Sequence, residues 1–230
     1  MLKVLTTIAL KGVLAELAGD FQRQTGHEFA MTYGPSGTVF DQCRGGATYD
    51  LVIATPDTID TLISEGSIEA GSRKKIAQSI VGVAVKAGAS HPNIDTVANF
   101  KQALLDANSV GYTNPATLAA SGVHMAKVLE DLGIIDVVNA KTTFGQGGSV
   151  AELLITDDIE IALQQISEHR LVKGVEIVGP IPEAIQKITI LSVGLHAHAP
   201  EREVGTTMIE WLTSPDINSV LDRHGLFPID

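Results

Sequence analysis

Strand-like and helix-like runs alternate along this chain of 230 residues, and that alternation limits the folds open to it. Val4 to Leu10 predicts a buried strand, and Lys11 to Gln24 predicts an amphipathic helix that stops at Gly26. His27 to Tyr33 and Asp50 to Ala54 predict two further strands, each followed by the start of a helix. This order is typical of a parallel sheet that is covered by helices on both sides.

The alternation resumes beyond residue 80, so the sequence predicts a second α/β lobe. We expect mostly parallel sheets in two lobes, the first formed by residues 1–80 and 196–230 and the second by residues 81–195. Two strands, near residues 80–85 and 188–195, are the expected crossings between the lobes.

Three strand-to-helix turns carry hydroxyl groups. The run Gly34-Pro35-Ser36-Gly37-Thr38 is the clearest, and similar turns occupy Thr6 to Lys11 and Asn114 to Gly122. The first N–H groups of a helix have no internal partner and bear partial positive charge, so such turns bind small anions. The three turns together predict one cleft that closes on a single small ligand.

Composition excludes several other classes of protein. The formal charge of −11 and the absence of any basic run exclude nucleic acid as a partner. Cys43 is the single cysteine, so no internal disulfide is possible, and it is expected to be a small helix residue. His196 and His198 alternate on a strand end without a third ligand at suitable spacing, so no metal site is predicted.

Dinucleotide-binding loops, phosphate-binding lysine loops and nucleophile elbows do not occur in the sequence, so no cofactor is expected. No run approaches the roughly 20 apolar residues of a membrane helix. Leu2 to Leu10 is too short and strand-like for a signal peptide. We expect a periplasmic protein if a signal has been removed, and a cytoplasmic one otherwise.

Several motifs together resemble a known family. They are Val4-Leu5-Thr6-Thr7, Leu10-Lys11-Gly12, the Gly34 to Thr38 turn, Gly45 to Ile53, and the closing run from Trp211 to Pro228. In these the chain resembles the molybdate-binding receptors of ABC transporters, which have the type II periplasmic binding protein fold. The resemblance implies a Venus-flytrap protein whose two lobes bury an anion among neutral hydroxyls and backbone amides.

The resemblance places ligand contacts at particular residues. Ser36 matches a ligand-binding serine, whereas the family's other serine falls on Ala9, with Thr7 two residues away. Ser121 matches a turn whose amide contacts the anion, and Ser149 with Val150 matches another. The family's tyrosine falls on Gln164 or Gln165. These differences extend the expected ligands from molybdate or tungstate to an organic polycarboxylate.

Four further residues come from the pattern itself. Lys11 lies in the first turn of a helix, where a cation opposes the helix dipole, so it either faces solvent or binds an anion. Thr55 and Asn114 end strands, and Gln165 ends a buried strand, where turn chemistry or a structural network is the alternative role. Ser36 has the alternative role of helix N-cap. The predicted ligand-binding residues are Thr7, Lys11, Ser36, Thr55, Asn114, Ser121, Ser149 and Gln165.

The leading hypothesis is a monomeric solute-binding protein for a small anion, which would serve an ABC permease if it is secreted. The alternative is an isomerase on the same fold, because aconitate isomerase is similar to the molybdate-receptor group. It would shift a double bond by proton transfer, with Lys11, His124 and Glu168 as candidate acids and bases. A surface or half-buried position on the helix is the commoner role for a histidine such as His124. A cytoplasmic anion sensor is a third hypothesis.

Overall fold

The computed structural model describes residues 1–156 and 158–229, which fold as two compact units. Unit 1 comprises Met1–Ser79 and the chain from Thr189 onward, and unit 2 comprises Ile80–Ile188. Each unit contains one sheet with helices on both faces. Within the described residues, no helix is both long and apolar enough to cross a bilayer.

The strands are β1 (Leu2–Thr7), β2 (Phe29–Gly34), β3 (Leu51–Ala54), β4 (Lys74–Ser79), β5 (Val81–Lys86), β6 (Val110–Thr113), β7 (Thr142–Gly145), β8 (Ile161–Gln165), β9 (Val175–Pro180), β10 (Thr189–Leu195) and β11 (Phe227–Pro228). The α-helices are α1 (Lys11–Thr25), α2 (Ser36–Arg44), α3 (Pro56–Ser64), α4 (Val97–Asp106), α5 (Ala120–Asp131), α6 (Ile135–Asn139), α7 (Glu152–Ile155), α8 (Ile166–His169), α9 (Arg202–Leu212) and α10 (Asn218–Arg223). Short 3-10 turns occupy Ile8–Leu10, Pro115–Thr117, Glu183–Ile185 and Pro215–Ile217.

The sheet of unit 1 has the strand order β11-β4-β10-β3-β1-β2. Strands β2, β1 and β3 are parallel, and β10, β4 and β11 add antiparallel pairs. Alternation along β1 directs Val4 to the face covered by α1, α9 and α10, and Leu5 to the face covered by α2 and α3. Helices therefore cover both faces of the sheet, as is usual for parallel strands.

The sheet of unit 2 has the strand order β7-β6-β8-β5-β9. Here β7, β6 and β8 are parallel, whereas β5 and β9 are antiparallel additions. Phe100, Tyr112 and Met125 belong to the core on one face, and Ala84 and Leu154 to the core on the other. Both sheets are thus mixed, and the antiparallel strands were not predicted by the βαβ pattern.

Strand β4 is one element that sequence reasoning missed. The run begins with Lys74 and Lys75, both exposed, and only Ile76 and Ala77 are buried apolar residues. A strand with so short an apolar signal is recognised only through its partners, β10 and β11. Helix α2 begins at Ser36, the serine that the sequence places at a helix start.

The parallel strands of each unit end at one edge of its sheet, and we call these the donor edges. In unit 1, Thr7 lies opposite Gly34, and Thr6 lies opposite Ile53. In unit 2, Thr113 lies opposite Gly145, and Tyr112 lies opposite Leu163. Helices begin directly beyond several of these ends, so their free N–H groups lie at the same edge.

The start of α5 packs very closely against the end of β6. A Cβ atom added to Gly122 would lie 2.4 Å from the carbonyl oxygen of Thr113 and 3.0 Å from its carbonyl carbon. Since both atoms belong to the backbone, no side-chain rotation can relieve the overlap. Only glycine lets the α5 N-terminus reach this position.

We therefore expect Gly122→Ala to lower the free energy of unfolding by about 1–3 kcal/mol, because the helix must move away from β6. Denaturant unfolding measures the change. Gly148→Ala is the matched control, since its Cβ would meet nothing closer than Glu152 Oε2 at 3.8 Å. Equal stabilities of the two variants would contradict the close-packing argument.

Candidate functional site

Ser36 opens α2 at the donor edge of unit 1. The N-cap is Pro35, which offers no side-chain acceptor, and the first helical bond runs from Val39 N to Pro35 O at 3.2 Å. The amides of Ser36, Gly37 and Thr38 therefore precede the first internal bond. Ser36 is 6% exposed, and within the described residues its hydroxyl has no hydrogen-bond partner. The N-cap role considered for Ser36 is therefore wrong, because Pro35 occupies that position.

Two threonines lie near Ser36 at this edge. The Thr7 hydroxyl is buried and has no partner among the described residues. By strand alternation it lies on the same face as Leu5, which is the face covered by α2 and α3. Thr55 is the N-cap residue of α3, but its hydroxyl contacts that of Thr58 at 2.9 Å instead of an amide.

Lys11 is the first residue of α1, and its Nζ lies 4.4 Å from the centre of the Tyr33 ring. Tyr33 pairs with Thr6, one residue before the end of both strands. Ala9, where the family has a serine, is buried in the apolar core of unit 1. Unit 1 therefore has an ammonium group beside its donor edge and no hydroxyl at position 9.

Gln164 organises the donor edge of unit 2. Its Oε1 accepts from Val150 N at 2.7 Å, and its Nε2 lies 3.2 Å from both Thr113 Oγ1 and Gly148 O. These contacts fix the glycine-rich loop of residues 145–148 against β6. Gln164 thus has the structural role that was one of its two predicted roles. Gln165, one of the predicted ligand residues, is 3% exposed at the end of β8 and pairs with Val81.

Ser149 and Asn114 use their side chains locally. The Ser149 hydroxyl donates to Glu168 O at 3.0 Å. Asn114 Oδ1 accepts from Ala116 N at 3.0 Å, which caps the following 3-10 turn. The Ser149 oxygen can still accept a hydrogen bond, and Asn114 Nδ2 can still donate one, since it lies 3.4 Å from Gln146 Oε1.

Ser121 is the second residue of α5 and is 3% exposed. The first helical bond runs from Val123 N to Ala119 O at 3.0 Å, so the amides of Ala120, Ser121 and Gly122 precede it. In the described part of the chain the Ser121 hydroxyl has no partner. Unit 2 therefore has a helix N-terminus of the same kind as that at Ser36.

His124 lies one turn further along α5, half-buried, with Nε2 2.9 Å from Ile185 O. Burial lowers the pKa of His124, and the carbonyl of Ile185 only partly opposes that effect. The ring is therefore neutral at neutral pH, and Nε2 carries the proton that it donates to the carbonyl. This contact supports the structural role over the proton carrier.

Glu168 and His169 are adjacent and buried in α8. Burial raises the pKa of Glu168 to about 8, although a hydrogen bond with Gln164 opposes the shift. Burial lowers the pKa of His169 to about 4, and its Nε2 lies 3.2 Å from Gly82 O. Both side chains are consequently uncharged at neutral pH.

Two other features bear on function. Among the described residues no group of His, Cys, Asp and Glu has the arrangement of a metal site. A cavity of about 640 Å³ in unit 2 is lined by Val85, Lys86, Ile161 and residues of α4. It lies near the start of β8, at the opposite edge from the donor edge, and the predicted ligand residues do not line it.

The chain belongs to the family of bacterial extracellular solute-binding proteins, whose model matches residues 2–227. It is 27% identical to an aconitate isomerase of Pseudomonas sp over 99% of this chain and 88% of that protein. It is also 27% identical to the molybdate-binding protein ModA of Azotobacter vinelandii over 92% of this chain and 84% of ModA. The solved periplasmic molybdate-binding protein of Azotobacter vinelandii superposes with a TM-score of 0.85 at 21% identity, with both chains fully covered.

These comparisons confirm the predicted resemblance to molybdate receptors and the predicted α/β class of fold. Sequence reasoning missed the contact of Tyr33 with Lys11, whereas a structural network at Gln164 or Gln165 was one of the predicted roles. The signal for Gln164 was present, because a glutamine inside the apolar run from Ile161 to Leu163 must find partners. For Tyr33 no local signal existed, since the contact depends on where α1 begins.

The buried acid gives a pH prediction. Folding raises the pKa of Glu168 from 4.5 to about 8, so the native state loses stability as pH rises through that interval. Folding lowers the pKa of His169 from 6.5 to about 4, so His169 makes the native state more stable as pH rises through that interval. Above pH 6.5 the effect of His169 is complete, and only Glu168 changes the stability further. We expect unfolding free energy to fall by about 1–2 kcal/mol between pH 6.5 and 8.

Glu168→Gln should remove this fall, because the amide keeps the shape and has no proton to lose. Denaturant unfolding across the pH series tests it. Glu160→Gln is the control, since hydrogen bonds from Asn108 lower the pKa of Glu160. The ionisation of Glu160 therefore changes the stability only at acidic pH. A fall that persists unchanged in Glu168→Gln would show that Glu168 is ionised at neutral pH.

Proposed function

We propose that this protein binds a small anion as an exported solute-binding protein that serves an ABC permease. The observation that carries the proposal is the donor edge of unit 1 in a member of the solute-binding family. There the buried Thr7 hydroxyl and the Ser36 hydroxyl lack partners in the described chain, beside the first amides of α2. A buried hydroxyl without a partner costs free energy, and an anion would satisfy it.

The donors at this edge are neutral hydroxyls and amides, with the ammonium of Lys11 nearby. Preorganised neutral donors bind an anion without a buried counter-charge, because they replace its water shell. The formal charge of −11 does not oppose this, since exposed charges farther than about 8–10 Å are screened at physiological salt. We propose that Ser121 and the α5 amides supply the same chemistry in unit 2, with Thr55, Asn114, Ser149 and Gln165 as further contacts.

A ligand panel tests the proposal. Thermal shift followed by calorimetry should show stabilisation of the purified protein by at least one of molybdate, tungstate, sulfate, citrate, cis-aconitate and trans-aconitate. The stabilisation follows from binding to the native state alone. If none of these ions shifts the unfolding temperature at millimolar concentration, the anion-binding proposal fails.

Ser36→Ala should weaken the ligand found in that panel by about 1–3 kcal/mol, since it removes a buried hydrogen bond. Calorimetric titration measures the change. Ser64→Ala is the matched control, because Ser64 is exposed in α3 and its hydroxyl donates to Thr61 O. Unchanged affinity in Ser36→Ala would refute its role as a ligand residue.

A second candidate function is isomerisation of a tricarboxylate, and the similarity to an aconitate isomerase over nearly the whole chain favours it. The reaction moves a double bond, as one carbon loses a proton and another gains one. Glu168 is protonated at neutral pH and Lys11 carries a positive charge, so an acid and an anion-stabilising group are both present. Of the three candidates, His124 is held at Ile185 O and is the least suited to this role.

Incubation with cis-aconitate in D2O tests the second function. If the protein is an isomerase, proton NMR should show trans-aconitate that contains deuterium, and Glu168→Gln should reduce the rate at least about 100-fold. Glu160→Gln should leave the rate unchanged. Binding of aconitate without turnover would leave the solute-binding function and exclude the isomerase.

A further inference from the structure

We propose that Lys11 and Tyr33 select organic polycarboxylates at the donor edge of unit 1, with Lys11 binding one carboxylate and Tyr33 holding the ammonium in place. The inference rests on the proposed anion-binding function and adds a ligand class and two specificity residues to it. Tyr33 is not among the residues that the sequence pattern or the family resemblance indicated.

Lys11 has no carboxylate partner among the described residues. It lies at the N-terminus of the 15-residue helix α1, where the helix dipole repels positive charge. Within the described chain no carboxylate forms an ion pair with it. All five arginines of unit 1 have such partners: Arg23 with Asp20, Arg44 with Glu65, Arg73 with Asp60, Arg202 with Glu69, and Arg223 with Glu16. Within the described residues, Lys3, Lys74 and Lys75 likewise have no ion pair with a carboxylate, so Lys11 is distinguished by its place at a helix N-terminus beside Tyr33.

The ammonium of Lys11 lies over the ring of Tyr33. Its Nζ lies 4.4 Å from the centre of the Tyr33 ring, a cation–π distance. Tyr33 is 43% exposed, so the ring leaves the ammonium open to a ligand. Tyr33 also directly precedes Gly34 and Pro35, and the α2 amides follow them. The ring therefore holds a flexible lysine at the end of β2, where Tyr33 lies three residues before Ser36 in the chain.

The donor edge of unit 1 is wide enough to hold a ligand with separated charged groups. Strand β1 separates β2 from β3, and neighbouring strands lie about 4.8 Å apart. The groups that follow β2 and β3 are therefore about 10 Å apart across the edge. Lys11 and Tyr33 lie at the β2 side, whereas Thr55 lies at the β3 side. A compact tetrahedral ion can contact only donors that surround one point. A ligand with several carboxylates on a carbon chain can contact donors at the β2 side and at the β3 side together.

Ala9 strengthens the same conclusion. Alanine has no hydroxyl, and Ala9 is 4% exposed in the apolar core, so this position supplies no side-chain donor to a tetrahedral ion. The loss of a neutral donor and the presence of an ammonium both favour separate charged groups on the ligand. We therefore assign a di- or tricarboxylate as the ligand class.

The test compares calorimetric affinities for citrate, cis-aconitate, succinate and molybdate in wild type and variants. Lys11→Met should weaken the best tricarboxylate about 10- to 100-fold, as expected for loss of a charged hydrogen bond, and change molybdate less than about 3-fold. Lys11→Arg should restore most of the affinity. Tyr33→Phe should resemble wild type, whereas Tyr33→Leu should weaken the tricarboxylate, because only the former keeps the ring.

Lys75→Met is the matched control, since Lys75 is an exposed lysine of β4 in the same unit. Unfolding temperatures without ligand verify that each variant folds. Equal weakening of molybdate and tricarboxylate, or no weakening by Lys11→Met, would overturn the inference. Binding of molybdate or sulfate without any polycarboxylate would also overturn it and leave the anion-binding function standing. Absence of all anion binding would instead refute the proposed function itself.

Discussion

The structure depends on helices that begin directly where parallel strands end. In unit 1 this places the start of α2 one residue beyond β2, and in unit 2 it places the start of α5 against the end of β6. The peptide dipoles of these helices provide positive potential without a charged side chain. The first residues of both helices are accordingly small or hydroxylated: Ser36, Gly37 and Thr38 in α2, and Ala120, Ser121 and Gly122 in α5.

The two units stabilise their donor edges by different interactions. In unit 1 the apolar packing of Leu5, Val39 and Ile59 holds α2 and α3 against the sheet. In unit 2 a single amide side chain, Gln164, links β8, β6 and the glycine-rich loop. A buried network of this kind is rigid only when each polar atom is satisfied, so the loop depends on that one side chain.

An element could be predicted from the sequence when the residues that form it lie close together in the chain. Periodicity indicated α1, α5 and the parallel strands because their apolar faces repeat locally. The resemblance in the Gly34 to Thr38 turn predicted Ser36 at a helix start, which the structure shows. The strand β10 was also predicted, but its antiparallel pairing with β4 and the contact of Lys11 with Tyr33 arise between segments far apart in the chain. No local pattern carries that information, so neither the pairing nor the contact was predictable.

The proton on Glu168 has a consequence for the electrostatic field behind the unit 2 loop. The Ser149 hydroxyl contacts the backbone of this residue, and Gln164 bonds its carboxyl group. While the carboxyl is neutral, the interior beneath the loop adds no negative potential to that of the amides. Above about pH 8 the same site becomes a buried negative charge, with low dielectric around it and little screening. Alkalinity would then repel an approaching anion from within the protein.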